Sequence, residues 1–171
     1  MADRTVIALG SNLGDRVAHL DAAVANIAEL EQVSVVAVSS WYESIAHTAD
    51  GLDLDAPRYA NGVVVIDSEL APLELLAALQ RIEQRLGRPA DHQAWSNRVI
   101  DLDIVCSTAG PIAEPTLTIP HPRAHERVFV LLPWLEIDAT AALFGHGAVA
   151  DLLAGLDPVE RSALVRLEVA R

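Results

Sequence analysis

The chain has 171 residues, a formal charge of −12 and a pI near 4.7. That length suits one domain, residues 1–171, with a real core, and 51% hydrophobic residues argue against disorder. The acidic balance excludes non-specific nucleic-acid binding and attraction to anionic membranes, and no stretch reaches the roughly 20 apolar residues of a membrane span.

Thr5 to Leu9 reads as a short buried strand and Gly10 to Gly14 as a turn. Asp15 can cap a helix running to about Leu30, with Val17, Leu20, Ala23, Val24, Ile27 and Leu30 at helical spacing. Val33 to Ser44 reads as one β-branched strand, and residues 46–58, rich in Asp, Gly and Pro, as a mobile surface loop. Tyr59 to Asp67 is a strand. Pro72 opens a helix with a stripe of Leu75, Leu76, Leu79, Ile82 and Leu86, and Gly87 ends it. A polar loop over 88–97 precedes a strand over 99–106. A turn around Pro120 and Pro122 follows, then a short helical turn and the apolar segment Val128 to Leu132. Asp151 to Leu156 reads as a short helix and Leu164 to Val169 as a last strand or tail. The order β-α-β-β-α-β with C-terminal additions predicts an α+β, ferredoxin-like antiparallel sheet with helices packed on it.

All 12 basic side chains are arginine. Any phosphate must therefore be held by arginine, backbone amides, histidine or a metal. Cys106 is the only cysteine, so no disulfide forms within the chain and a reducing cytoplasm is expected. The N-terminus lacks a basic start followed by a long apolar run, which fits a soluble cytoplasmic protein.

Asp101 and Asp103 interrupt the run "SNRVIDLDIV". Alternation along a strand points both carboxylates one way and Ile100, Leu102 and Ile104 the other. Acids at i and i+2 lie roughly 7 Å apart and repel at neutral pH. A hard divalent ion resolves this, and Mg²⁺ takes one or two carboxylates plus substrate phosphates. The bland alternative is a strand face that merely meets solvent. Arg88, His92, Trp95 and Arg98 upstream and His121, Arg123, His125 and Arg127 downstream favour a metal–nucleotide site. No GxxxxGK[ST] run is present, so the phosphate grip is not a P-loop.

The runs "ALGSNLGDR" (8–16), "YANGVVVI" (59–66), "IEQRLGR" (82–88), "WSNRVIDLDIV" (95–105) and "LTIPHPRAHERVFVLLPWLEI" (117–137) resemble the 6-hydroxymethyl-7,8-dihydropterin pyrophosphokinase family of folate biosynthesis. The resemblance implies a ferredoxin-like fold and transfer of pyrophosphate from ATP to the pterin hydroxymethyl group, with AMP leaving. It implies two Mg²⁺ ions held by Asp101 and Asp103, ATP as co-substrate, and small-molecule substrates bound by a monomer. Tyr59 and Phe129 match the aromatics that sandwich the pterin, and Asn61 the amide at its edge. Gln80, Glu83, Arg88, Trp95, Arg98, Thr118, His121 and Arg127 match positions around ATP, with Arg88 and Arg98 also assigned to catalysis. For Glu83 the competing reading is a solvated helix face. Ser11 and Asn12 read as mostly structural, turning the chain after the first strand.

Two departures stand out. Ala90 and Ala94 occupy positions where the family pattern has arginines, and Ser96-Asn97 replace Gly-Pro. A charge-assisted contact to phosphate is worth roughly 1.5–3 kcal/mol, so losing two that act in the transition state costs roughly 10²- to 10⁴-fold in rate. The segment 46–58 is also unusually acidic. These departures leave open a second reading, a degenerate relative that binds pterin or nucleotide with little transfer.

Overall fold

The computed structural model describes residues 1–48, 51–53, 55, 57–88 and 98–168. Strand β1 (Asp3–Ser11) runs two residues past the expected end, so Gly10 is a strand residue and not a turn former. Helix α1 (Arg16–Ala28) starts where Asp15 accepts the Ala18 N–H at 3.1 Å and buries Leu20, Ala23 and Ile27. The expected strand Val33–Ser44 is two strands, β2 (Val33–Val38) and β3 (Tyr42–Ser44). Ser39 breaks it: its N–H donates to Val63 O and its Oγ accepts the Val63 N–H, both at 2.9 Å, in place of an uninterrupted ladder.

Residues 46–58 hold a hairpin, β4 (Ala46–Thr48) and β5 (Gly51–Asp53), where a loop was expected. Backbone pairing needs no apolar pattern, which is why a polar stretch concealed it. Strand β6 (Tyr59–Ser68) and helix α2 (Pro72–Arg85) follow, the helix opening with Ala71 N–H donating to Glu74 Oε2 (3.0 Å) and closing at Gly87, whose φ of 105° suits glycine.

Strand β7 (Asp101–Ser107) leads to a hairpin of β8 (Ile112–Glu114) and β9 (Leu117–Ile119), a cis Ile119–Pro120 peptide and a 3-10 turn at Ala124–Glu126. The apolar segment expected to stop at Leu132 is helix α3 (Val128–Ile137), which carries Pro133 inside it against the usual preference. The hairpin β10 (Ala142–Leu143) and β11 (Gly147–Ala148), then α4 (Val149–Gly155), α5 (Pro158–Ala163) and β12 (Val165–Arg166) complete the described chain. Both C-terminal hairpin strands and α5 escaped the sequence reading because each is shorter than one period of the patterns that reveal such elements.

The main sheet runs β12-β3-β6-β1-β7, with β2 also on β6, and its pairings are antiparallel. Each α1 or α2 crossover skips one strand, the split βαβ arrangement expected from the element order. One face buries Ile7, Leu9, Val64, Ile66, Leu102 and Ile104 against α1 and α2. The other buries Val6, Val63, Val65 and Val105 against Val130, Leu131 and Trp134 of α3. Burial on both faces explains the unbroken apolar run of β6.

Trp41 turns onto the α1 side, 1% exposed, its Nε1 donating to Asp21 Oδ1 at 2.9 Å. A Cβ on Gly62 would lie 2.3 Å from the Trp41 ring, so the indole fills the place of a side chain. Gly62→Ala is expected to cost about 1–3 kcal/mol of stability by overpacking, read as a lower midpoint in denaturant unfolding; an unchanged midpoint would mean that the ring moves aside freely.

Candidate functional site

Helix α3 is shorter than the strands beneath it, and it leaves one end of the sheet uncovered. Register decides what is exposed there. Asn61 on β6, Gly10 on β1 and Asp101 on β7 stand abreast, with Ala8 and Asp103 paired two residues along. Directly opposite residues share a face, so Tyr59, Asn61, Asp101 and Asp103 all open toward the start of α3, where Arg127 and Phe129 lie. Ile100, Leu102 and Ile104 point into the core, at 0%, 4% and 4% exposure, as the alternation predicted.

Arg88 Nη1 donates to Asp101 Oδ1 at 2.8 Å and Arg98 Nη1 to Asp101 Oδ2 at 2.6 Å. Arg88 also bonds Glu83, whose Oε1 accepts the Leu102 N–H at 2.7 Å. Glu83 is 6% exposed, so it does not lie on a solvated helix face. It holds Arg88 from behind and pins the start of β7. Burial pushes its carboxyl up to about 7, against the Leu102 N–H and Arg88, which favour the charged form.

Asp103 has Arg127 Nη1 at 3.6 Å and His121 Nε2 at 3.8 Å. Its carboxyl is held well above the usual range, first by desolvation and then by the charge of Asp101, although three arginines pull the other way. A divalent cation would relieve that crowding. Among the described residues no cluster of three His, Cys, Asp or Glu side chains forms a closed cage. The donor set therefore fits Mg²⁺ that draws its remaining ligands from phosphates and water. His121 accepts the Arg123 N–H on Nδ1 (3.1 Å), which leaves its proton on Nε2, facing Asp103. Burial lowers its pKa to about 4, so the ring is neutral at pH 7.

On the acceptor side, Tyr59 is half-buried, and burial raises its pKa. Asn61 Nδ2 donates to Ser44 Oγ at 2.7 Å, both side chains buried. The Arg127 guanidinium lies 5.6 Å from the centre of the Phe129 ring. Gln80 and Thr118 are exposed, and no hydrogen bond or ion pair among the described residues joins them to the acids. Trp95, Ala90 and Ala94 lie outside the described residues.

Three contributors escaped the sequence reading. A Cβ on Gly10 would sit 3.3 Å from Asn61 Oδ1 and 3.9 Å from the Tyr59 ring, so its absence keeps the strip between Asn61 and Asp101 clear. A glycine at a strand end is the signal, since it permits close approach. Asn12, 5% exposed, accepts the Arg98 N–H on Oδ1 (2.7 Å) and donates its own N–H to Arg98 O (3.0 Å). The turn residue thus fixes the backbone of a site arginine. Ser44 orients Asn61, and its type gives no local signal.

The family model for 7,8-dihydro-6-hydroxymethylpterin-pyrophosphokinase matches residues 6–139. A 2-amino-4-hydroxy-6-hydroxymethyldihydropteridine pyrophosphokinase of Methylorubrum extorquens is 38% identical over 165 residues, covering 96% of this chain and 99% of that protein. The Bacillus subtilis protein of the same name is 43% identical over 131 residues, 77% of this chain and 75% of its own length. A solved HPPK-DHPS triple mutant from Plasmodium falciparum with pteroate superposes with a TM-score of 0.70 at 12% identity. That likeness covers 99% of this chain and 47% of the solved one, about half its length, and it supports the ferredoxin-like α+β fold. Matches of this extent, over residues that include both acids and the surrounding arginines, place the chain in the 7,8-dihydro-6-hydroxymethylpterin-pyrophosphokinase family.

Proposed function

We propose that this chain transfers pyrophosphate from ATP to the hydroxymethyl group of 6-hydroxymethyl-7,8-dihydropterin, releasing AMP in folate biosynthesis. The observation that carries the residue assignment is the pair Asp101–Asp103, ringed by Arg88, Arg98 and Arg127, at one end of an open strip bordered by Tyr59, Asn61 and Phe129. Asp101 and Asp103 hold two Mg²⁺, whose charge offsets that developing on the bridged phosphates.

Arg88 and Arg98 exchange Asp101 for phosphate oxygens when ATP enters, and Asn12 keeps the Arg98 backbone in place as they do. His121, neutral, offers Nε2–H to the triphosphate, and Arg127 contributes a guanidinium beside Asp103. Gln80, Trp95 and Thr118 complete the ATP side, while Glu83 acts through Arg88. Tyr59 and Phe129 stack the pterin, and Asn61 bonds its edge. The hydroxymethyl oxygen then attacks the β-phosphorus, the bond from that phosphorus to the α-phosphate oxygen breaks, and AMP departs. The protein's main contribution is alignment together with fixed positive charge.

Residues 1–171 act as one monomeric domain in the cytoplasm. Among the described residues no helix is long and apolar enough to cross a membrane. Burial pushes the lone thiol, Cys106, up to about 12, which leaves it unreactive.

Incubation with MgATP and the reduced pterin is expected to give AMP only when both are present. Calorimetric binding of both ligands without AMP would instead establish the degenerate relative, in which the alanines at 90 and 94 have removed the transfer step.

A further inference from the structure

Strand register sets the direction in which the acceptor lies, given the function proposed above. Asp101 on β7, Gly10 on β1, Asn61 on β6 and Tyr42 on β3 form one row across the sheet, with neighbouring strands about 4.8 Å apart. The hydroxymethyl group has to sit at the β7 end, where the acids and arginines are. A flat bicyclic ring laid along this row therefore sends its opposite end, the one bearing the 2-amino group, toward β3. Ser44 stands there, buried and bonded to Asn61.

Beyond Ser44 a small cleft opens. Ser44, Ile45 and Phe129 form one wall, and Glu160, Ala163 and Leu164 form the other. The second wall belongs to α5, beyond residues 6–139 that the family model matches. It is firmly tied down. Asp157 caps α5 by accepting the Val159 N–H at 2.7 Å. After the helix, β12 pairs with β3, and Leu167 N–H donates to Trp41 O at 2.8 Å. The segment that holds Glu160 is thus anchored to the strand that ends the acceptor row.

We propose that Glu160 is a specificity-determining residue for the acceptor, its carboxylate accepting hydrogen bonds from the amino-bearing edge of the ring while α5 walls that end of the site. An amino group beside a ring N–H presents two parallel donors, the geometry that a carboxylate matches in a guanidinium. A ring lacking the amino group leaves the carboxylate short of a partner, which is how such sites discriminate. Glu160 sits at the far end from the triphosphate, so its charge does not oppose ATP.

Steady-state kinetics on the full chain test this, with the reduced pterin, its 2-deamino analogue and MgATP varied separately. Glu160→Gln is expected to raise the pterin KM about tenfold, the loss of one charge-assisted hydrogen bond. It leaves the ATP KM unchanged and shrinks the preference over the deamino analogue by the same factor. Ala163→Phe, which fills the cleft, raises the pterin KM with the ATP KM again constant. Wild-type pterin KM values in both variants, with or without a lower melting temperature, would overturn the role of α5 and leave the activity standing. Absence of pterin binding and of AMP formation in the unaltered chain would overturn the activity and this inference together.

Discussion

Asp101→Ala and Asp103→Ala are each expected to lower kcat by at least about 10³-fold, since a metal-bound charge at a phosphoryl centre supplies several kcal/mol and each 1.36 kcal/mol is tenfold. Neither change should unfold the chain. Asp103 keeps 37% of its side-chain surface and Asp101 24%, and the core on the other face of β7 is untouched. Binding separates the role of these acids from simple damage. The ligand-free cluster sets Arg88, Arg98 and Arg127 against Glu83, Asp101 and Asp103. Removing Asp101 leaves an excess of positive charge and frees two guanidinium groups. Metal-free ATP should therefore bind the Asp101→Ala variant at least as well as the parent, while Mg²⁺ no longer supports turnover. Variants that keep the parental kcat would show that the acids hold no catalytic ion.

Arg88→Ala is expected to damage both stability and turnover. The Arg88 and Glu83 side chains keep 9% and 7% of their surface. Removing the cation leaves Glu83 charged, buried and held only by the Leu102 N–H, a situation that costs about 3–5 kcal/mol. For a chain of this size that corresponds to a drop of roughly 6–20 °C in melting temperature. The double variant Arg88→Ala with Glu83→Gln should recover most of this loss, because a neutral amide needs no cation. It should not recover kcat, because the phosphates still lack their guanidinium. Recovery of both would assign Arg88 a purely structural role, and a melting temperature unaffected by Arg88→Ala would mean that Glu83 finds its own relief in solvent.

The alternation around Asp101 and Asp103, the helical stripes of α1 and α2, the Asp15 cap and the element order were legible in the residues, because each depends on neighbours within a few positions along the chain. Membership of the family rested on longer runs of the same kind. Glu83 shows where that legibility stops. Its helix position says solvent, yet it is buried behind Arg88, because β7 comes to lie across that face of α2 only after the sheet has closed. Gly10, Asn12 and Ser44 are small residues of turn-forming type with no period to betray them, and they matter through Asn61, Arg98 and Tyr59, partners that lie far away in sequence. The row from Asp101 across to β3 and the cleft beneath α5 exist only once five strands are in register. Local periodicity therefore determined the elements and the acid pair of this protein, whereas antiparallel registration between distant segments decided which side chains face one another across the site.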